Sequence, residues 1–373
     1  MPHSPSPHAL RGTYAGDFEA GDGTESRHGA PPSRGSRFSD VVIASLAHAV
    51  APERFTTAEM EGRLTHHLAR LGIVPGTLAA LSGIEARRFW PRGVPPSQAA
   101  TTAAKKAIVR ARIDRHRIGL LINTSVCRDY VEPSTASLVH GHLGLPGRCL
   151  NFDLSNACLG FLNGMDLAAQ MIERRQVDYA LVVDGEDSRT VVEATLARLA
   201  DPQSSPETFR ENLATLTLGS GAAAAVLAHG DLVPDGHRYV GSVSLAASEH
   251  NHLCRGQVDW MRTDPKGLLT AGLDLAERTW KEAERVLGWS VDVLDHAVVH
   301  QVSKVHTEAF TGRLRLGLER VPVIYREHGN VGPAAVPMTL SLAVDEGRVR
   351  RGDRIGLMGI GSGLNCAMAE VVW

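Results

Sequence analysis

Short apolar runs separated by longer stretches of helical spacing constrain this chain more than any other feature. Ile118 to Asn123 (IGLLIN) is continuously apolar, as a strand buried on both faces of a parallel sheet must be. Tyr179 to Val183 reads as another strand, and the Ala-rich run Ala222 to Leu227 as a strand packed closely against a neighbour. Between them, Ala99 to Ile113 and Leu159 to Ile172 carry helical spacing. Alternation of this kind specifies an α/β fold.

The same pattern extends to both ends. Val41 to Leu46 and Cys149 to Leu154 read as strands, and Thr57 to Leu71 places Met60, Leu64, Leu68 and Leu71 on one helical face. Further on come a strand (Tyr239 to Leu245), a long helix (Leu268 to Leu287) and a strand ending in His300. A helix from Lys304, a strand from Val321 to Tyr325 and a helix from Pro337 to Val344 follow. Two apolar strands, Arg354 to Met358 and Cys366 to Val372, close the chain. Both parts repeat one order of elements, which suggests an internal duplication with halves at 38–235 and 236–373. Residues 1–37 are rich in Pro, Gly, Ser and charge and poor in aliphatic side chains. They read as a disordered leader. The leader lacks the apolar core of a signal peptide. Asp17, Glu19, Asp22 and Glu25 argue against a transit peptide.

Composition removes several functional classes. A net charge of −2 supplies no general basic field for nucleic acid. Apolar runs such as Gly221 to Ala228 fall well short of the roughly 20 residues a membrane-spanning helix needs. The 17 histidines are scattered, and none forms a zinc-like spacing with cysteine, so no metal site is expected. The cysteines Cys127, Cys149, Cys158, Cys254 and Cys366 are five in number and show no CxxC. That pattern fits a reducing, cytoplasmic compartment rather than a disulfide framework.

Four segments carry chemistry. Cys158, in NFDLSNACLGFLNGMDLAAQMI, stands between a strand and a helix rich in small residues. A thiol at a helix N-terminus can be held as a thiolate, a good nucleophile toward thioesters. The competing reading is a buried structural cysteine. His300 ends a strand in HAVVHQVSKVHTEAF, where a satisfied core histidine is the ordinary alternative. Asn330, in EHGNVGPAAVPMTL, lies in a turn that Gly329 and Gly332 allow to bend sharply; it is either a turn residue or a cleft residue. The link GIGSGLNCAMAE lacks the helix a phosphate-cradling loop needs, but its backbone N–H groups could serve an oxyanion.

Taken together, Cys158, the His300-Gln301 pair and the Gly329-Asn330 turn resemble the thiolase superfamily, in particular its ketoacyl synthase III branch. Within that branch the chain is most similar to the OleA-type acyl-CoA condensing enzymes. LLINTSVCRDYVEPSTAS, DYALVVDGE, VVHQVSKVH, EHGNVGPAAVP and GIGSGLNCAMAEVVW carry this closer likeness, which spans residues 39–373. The resemblance implies a thiolase fold of two similar βαβαβαββ halves in five αβαβα layers. It implies that Cys158 accepts the first acyl group and that His300 and Asn330 hydrogen-bond the enolate oxygen of the second. It assigns the oxyanion to the backbone N–H groups of Cys158 and Ser362.

Glu132, in YVEPSTAS, matches the glutamate that this family supplies across a dimer interface. Condensation without decarboxylation must remove an α-proton, and a positioned carboxylate can do so. The resemblance further implies a homodimer, or a heterodimer with a second chain of the same kind. It also implies long-chain acyl-CoA as substrate, channels for alkyl chains, and no cofactor beyond the coenzyme A thioesters. Phe161, Leu162 and Met165, just after the nucleophile, are candidates for a channel wall, although core packing explains them equally. The expected reaction joins two acyl-CoA molecules into a 2-alkyl-3-oxoalkanoate, the first step toward long-chain olefins or β-lactones. Three readings compete with it: decarboxylative condensation with malonyl-acyl carrier protein, a non-catalytic subunit, and a thioesterase.

Overall fold

The computed structural model describes residues 35–373. The apolar runs become one sheet of ten strands. These are β1 (Gly35–Arg37), β2 (Val41–Val50), β3 (Ile118–Asn123), β4 (Leu150–Asp153), β5 (Tyr179–Glu186), β6 (Gly221–His229), β7 (His237–Ala246), β8 (His296–Val299), β9 (Arg354–Gly361) and β10 (Asn365–Val372). Its main helices are α1 (Pro96–Ala111), α2 (Thr135–Leu143), α3 (Gly160–Glu173), α4 (Pro265–Leu287), α5 (Lys304–Arg313) and α6 (Ala335–Asp345).

Pairing shows the duplication that the order of elements suggested. In the first half β2 pairs antiparallel with β6, β6 antiparallel with β5, and β5 parallel with β3. In the second half β7 pairs antiparallel with β10, β10 antiparallel with β9, and β9 parallel with β8. Short β2–β7 pairing at Val42–Arg238 and Ile43–His237 joins the two sets. Helices α3 and α6 lie between the sets and touch strands of both, while α1 covers one outer face and α4 the other. The central apolar cluster accordingly mixes both halves: Phe161, Leu162 and Met165 of α3 pack with Val336, Met338 and Leu340 of α6. This is the αβαβα layering of the thiolase fold.

Three expectations need correction. Gly35–Arg37, assigned to the leader, form a strand on β7, with Gly35 opposite Val243 and Arg37 opposite Gly241. The rest of that segment, residues 1–34, lies outside the described residues. Val321 to Tyr325 forms no strand. The buried Gln301 side chain donates to Pro322 O (2.8 Å) and accepts from Ile324 N (2.8 Å) and Tyr325 N (3.1 Å). It thus takes up the backbone groups a ladder would have used. Gln301→Ala strips partners from three buried groups and is expected to lower unfolding free energy by about 3 kcal/mol, measurable by urea denaturation. The expected helix from Thr57 to Leu71 is also broken at Leu64 into Thr57–Arg63 and Thr65–Arg70.

The duplication determines where loops emerge. The third strand of the first half, β4, leads through Cys158 into α3. The corresponding extended segment 321–324 leads through Asn330 into α6. Each half also extends a loop after its second strand: one starts with His300, the other runs out to Glu132.

Candidate active site

The nucleophile turn is tightly built. Ala157 adopts φ +45°, a left-handed conformation costly for a residue with a Cβ. Side-chain amides hold the turn: Asn156 donates to Asn163 of α3 (2.7 Å) and accepts from Asn365 of β10 (3.1 Å). A Cβ on Gly160 would fall 2.6 Å from the Thr124 carbonyl, so only glycine lets α3 begin this close to β3. Strand β9 closes the other side. A Cβ on Gly359 would meet Leu159 at 2.8 Å and His300 Cβ at 3.3 Å, and one on Gly361 would lie 3.4 Å from Cys158 N. The glycine-rich strand therefore brings the Cys158 turn and His300 together.

Cys158 keeps some accessible surface although protein surrounds it. Its thiol is not held as a thiolate. Burial first, then the neighbouring Cys254, Glu186 and Asp184, push its pKa up to about 12. The helix terminus does not offset this, because Leu159 is the N-cap and Cys158 lies outside the helix. His300 is also uncharged: burial, with His306 adding to it, lowers its pKa to about 4. The resting pair is thus a thiol and a neutral imidazole, and the proton must leave Cys158 as it attacks. Neither His300 ring nitrogen has a partner among the described residues. Buried polar atoms left this way are costly, and a substrate oxygen would satisfy one.

Asn330 is buried, and its backbone is clamped: its N–H donates to Thr217 O and its carbonyl accepts from Gly219 N, both at 2.8 Å. Its Oδ1 accepts from Gly332 N (3.0 Å), which orients the amide and leaves Nδ2 to donate elsewhere. Ser362 follows Gly361 in the turn between β9 and β10. Neither the Cys158 N–H nor the Ser362 N–H donates in a backbone turn hydrogen bond among the described residues.

Family models for 3-oxoacyl-[acyl-carrier-protein] synthase III and its C-terminal region match residues 152–247 and 285–373. An acyl-CoA:acyl-CoA alkyltransferase of Xanthomonas campestris pv. campestris is 54% identical over 336 residues, which is 90% of this chain and 99% of that one. The chain belongs to the OleA-type acyl-CoA:acyl-CoA alkyltransferases of the thiolase superfamily. The alkyltransferase of Shewanella oneidensis is 37% identical, over 90% of this chain and 100% of that one. Crystal structures of Xanthomonas campestris OleA superpose on it. A variant with a cysteine replaced by alanine gives a TM-score of 0.89 at 53% identity, covering 90% of this chain and 98% of that one. A cysteine-to-serine variant with bound lauric acid and lauroyl-CoA gives 0.88, covering 90% and 100%. The enzyme is therefore an acyltransferase that performs OleA-type condensation.

The remaining expected site residues of this alkyltransferase fall into two groups. Glu132 is exposed, whereas Cys158 and His300 are enclosed and Asn330 is buried. Its loop is nonetheless pinned. Asp129 accepts from Ser97 N (2.9 Å) and Oγ (2.5 Å), and Asp153 accepts from Thr135 N (3.0 Å) and Ala136 N (2.8 Å). Phe161, Leu162 and Met165 are buried and line an apolar crevice with Ile43, Pro337 and Leu340. At about 10 Å³ the space as packed has room for roughly one water. The sequence reading missed two acids near the nucleophile, Asp184 and Glu186. The available signal was a pair of carboxylates, two residues apart, ending a strand buried on both faces.

Proposed function

We propose that this enzyme joins two long-chain acyl-CoA thioesters by non-decarboxylative Claisen condensation, giving a 2-alkyl-3-oxoalkanoate. The Cys158 sulfur attacks the first thioester, expels coenzyme A, and passes its proton by way of neutral His300 toward the leaving thiolate. The partner subunit's Glu132 removes an α-proton from the second acyl-CoA, and His300 and Asn330 donate to the enolate oxygen. The α-carbon attacks the acyl-cysteine, whose oxyanion rests on the Cys158 and Ser362 N–H groups, and Cys158 leaves. Hydrolysis of the remaining thioester frees the acid. No cofactor beyond the coenzyme A thioesters takes part.

The observation that carries this reading is that Glu132 is exposed on a loop pinned at Asp129 and Asp153. Val131 beside it is 97% exposed, and Val126 and Tyr130 are exposed as well. Apolar side chains held out together on an anchored loop support an interface there. Among the described residues the adjacent edge strand β4 has one unpaired side and an exposed Leu150, fitting a second copy of this chain, or a related chain, at the same place. Spacing supports the assignments. In the Xanthomonas campestris variants the substituted glutamate precedes the substituted cysteine by 26 residues, and the substituted histidine follows it by 142. Glu132, Cys158 and His300 keep those intervals.

The product would feed long-chain olefin or β-lactone synthesis. A cytoplasmic setting agrees with five free thiols, and among the described residues no helix is long and apolar enough to cross a membrane. The reading is tested by supplying acyl-CoA alone. Coupled product supports it; a requirement for malonyl thioester would return the decarboxylative alternative.

A further inference from the structure

Glu186 ends β5 and meets several parts of the site. It is 4% exposed. One carboxylate oxygen accepts from Val126 N (2.6 Å) and the other from Cys127 N (3.2 Å), at the root of the loop that runs to Glu132. On another side it rests against the Asn330 turn: a Cβ on Gly332 would lie 3.6 Å from Glu186 Cγ and Cδ, and Gly332 N is the donor that orients Asn330. Its own carbonyl accepts from Trp90 Nε1 (3.0 Å), so the strand end cannot shift to relieve either contact.

We propose that Glu186 is a positioning residue for the condensation step: its carboxylate fixes the Glu132 loop and backs the Asn330 turn. This rests on the condensation reading above. The base of that reading is Glu132; the Glu186 oxygens are turned to the Val126 and Cys127 N–H groups.

Its neighbour determines when it is charged. Asp184, fully buried two residues earlier, has Oδ2 on the Thr124 hydroxyl (2.6 Å) and no donor for Oδ1. Two adjacent buried carboxyls do not both ionise readily. Asp184 has the poorer donors and is raised further by the Glu186 charge, so it is the one that keeps its proton. Burial raises Glu186 as well, to about 7, with the Val126 and Cys127 donors opposing the shift. The other titratable groups facing it are Cys127 and Asp187 on one side and Cys158 on the other, and the Gly332 turn brings none. Burial raises both thiols, so neither ionises near neutrality. As pH falls through about 7, Glu186 gains a proton, one of its two acceptors becomes a donor facing an N–H, and the clamp loosens.

Glu186→Gln in the full-length protein separates a positioning role from a merely structural one. Cys158 acylation, read by intact-protein mass, should be as fast as in wild type or faster, since a charge opposing its thiolate is gone. The condensation kcat at pH 8 should fall roughly 30-fold with KM nearly unchanged, the scale of a small misplacement of reacting groups. The variant-to-wild-type kcat ratio should rise toward one between pH 8 and pH 6, where wild type loses the same charge. A ratio constant with pH, or equal losses in both half-reactions, would overturn the proposal. Glu186→Asp keeps the charge but shortens the reach; it should lose rate while its own pH dependence persists. If neither variant folds, wild type alone decides: acylation flat from pH 6 to 8 with condensation falling below pH 7 is expected, and parallel profiles refute it. A wild type that forms no coupled product from acyl-CoA alone would instead sink the condensation reading, whatever the variants do.

Discussion

A Glu132→Ala protein is expected to take up an acyl group on Cys158 at the normal rate and then stop. The first half-reaction exchanges one thioester for another and needs no carbon acid to ionise. The second must break an α C–H bond, and the loss of a positioned base for such a step costs about 10³-fold or more. Fold stability should hardly change, because Glu132 is exposed and the groups anchoring its loop are Asp129, Asp153 and Glu186. Intact-protein mass and product analysis on one sample separate the two steps. If the glutamate crosses the interface, co-expressing Glu132→Ala with Cys158→Ala should restore about a quarter of wild-type condensation. Half of the randomly paired dimers would then hold one complete site. Normal condensation by Glu132→Ala alone removes it from the mechanism.

Asn330→Ala should lower condensation by two to three orders of magnitude, about the value of one oriented oxyanion donor. The amide is already aimed, because Gly332 N holds its Oδ1 at 3.0 Å. No reorganisation is therefore needed when charge develops on the enolate oxygen. The backbone bonds to Thr217 and Gly219 do not involve the side chain and should survive, so the fold should persist. Acylation of Cys158 should again be spared. A rate within a few-fold of wild type would leave His300 alone at the enolate oxygen.

Much of this was legible in sequence, for identifiable reasons. Strands buried on both faces write continuous apolar runs: Ile118–Asn123 was bounded to the residue, and the second-half helix predicted from Leu268 begins only three residues earlier, at Pro265. What failed was whatever depended on side chains reaching across the fold. Val321 to Tyr325 has the composition of a strand, but Gln301, some twenty residues earlier, claims its backbone. The state of the Cys158 thiol was misjudged because helix proximity shows in sequence and enclosure does not; burial and two acids from β5 outweigh the helix. Phe161, Leu162 and Met165 read as either channel or core, because both need apolar side chains on one helical face; α3 packs them against α6. Gly35–Arg37 look like leader because three residues carry no periodicity, yet β7 offers them an edge.

The most direct test of the central claim is the carbon count of the product formed by purified protein from a single long-chain acyl-CoA. Non-decarboxylative condensation predicts a β-keto acid with twice the carbons of the acyl chain, or the ketone one carbon shorter after loss of carbon dioxide. An acylated Cys158 with no coupled product, or coupled product only when malonyl thioester is added, would contradict it.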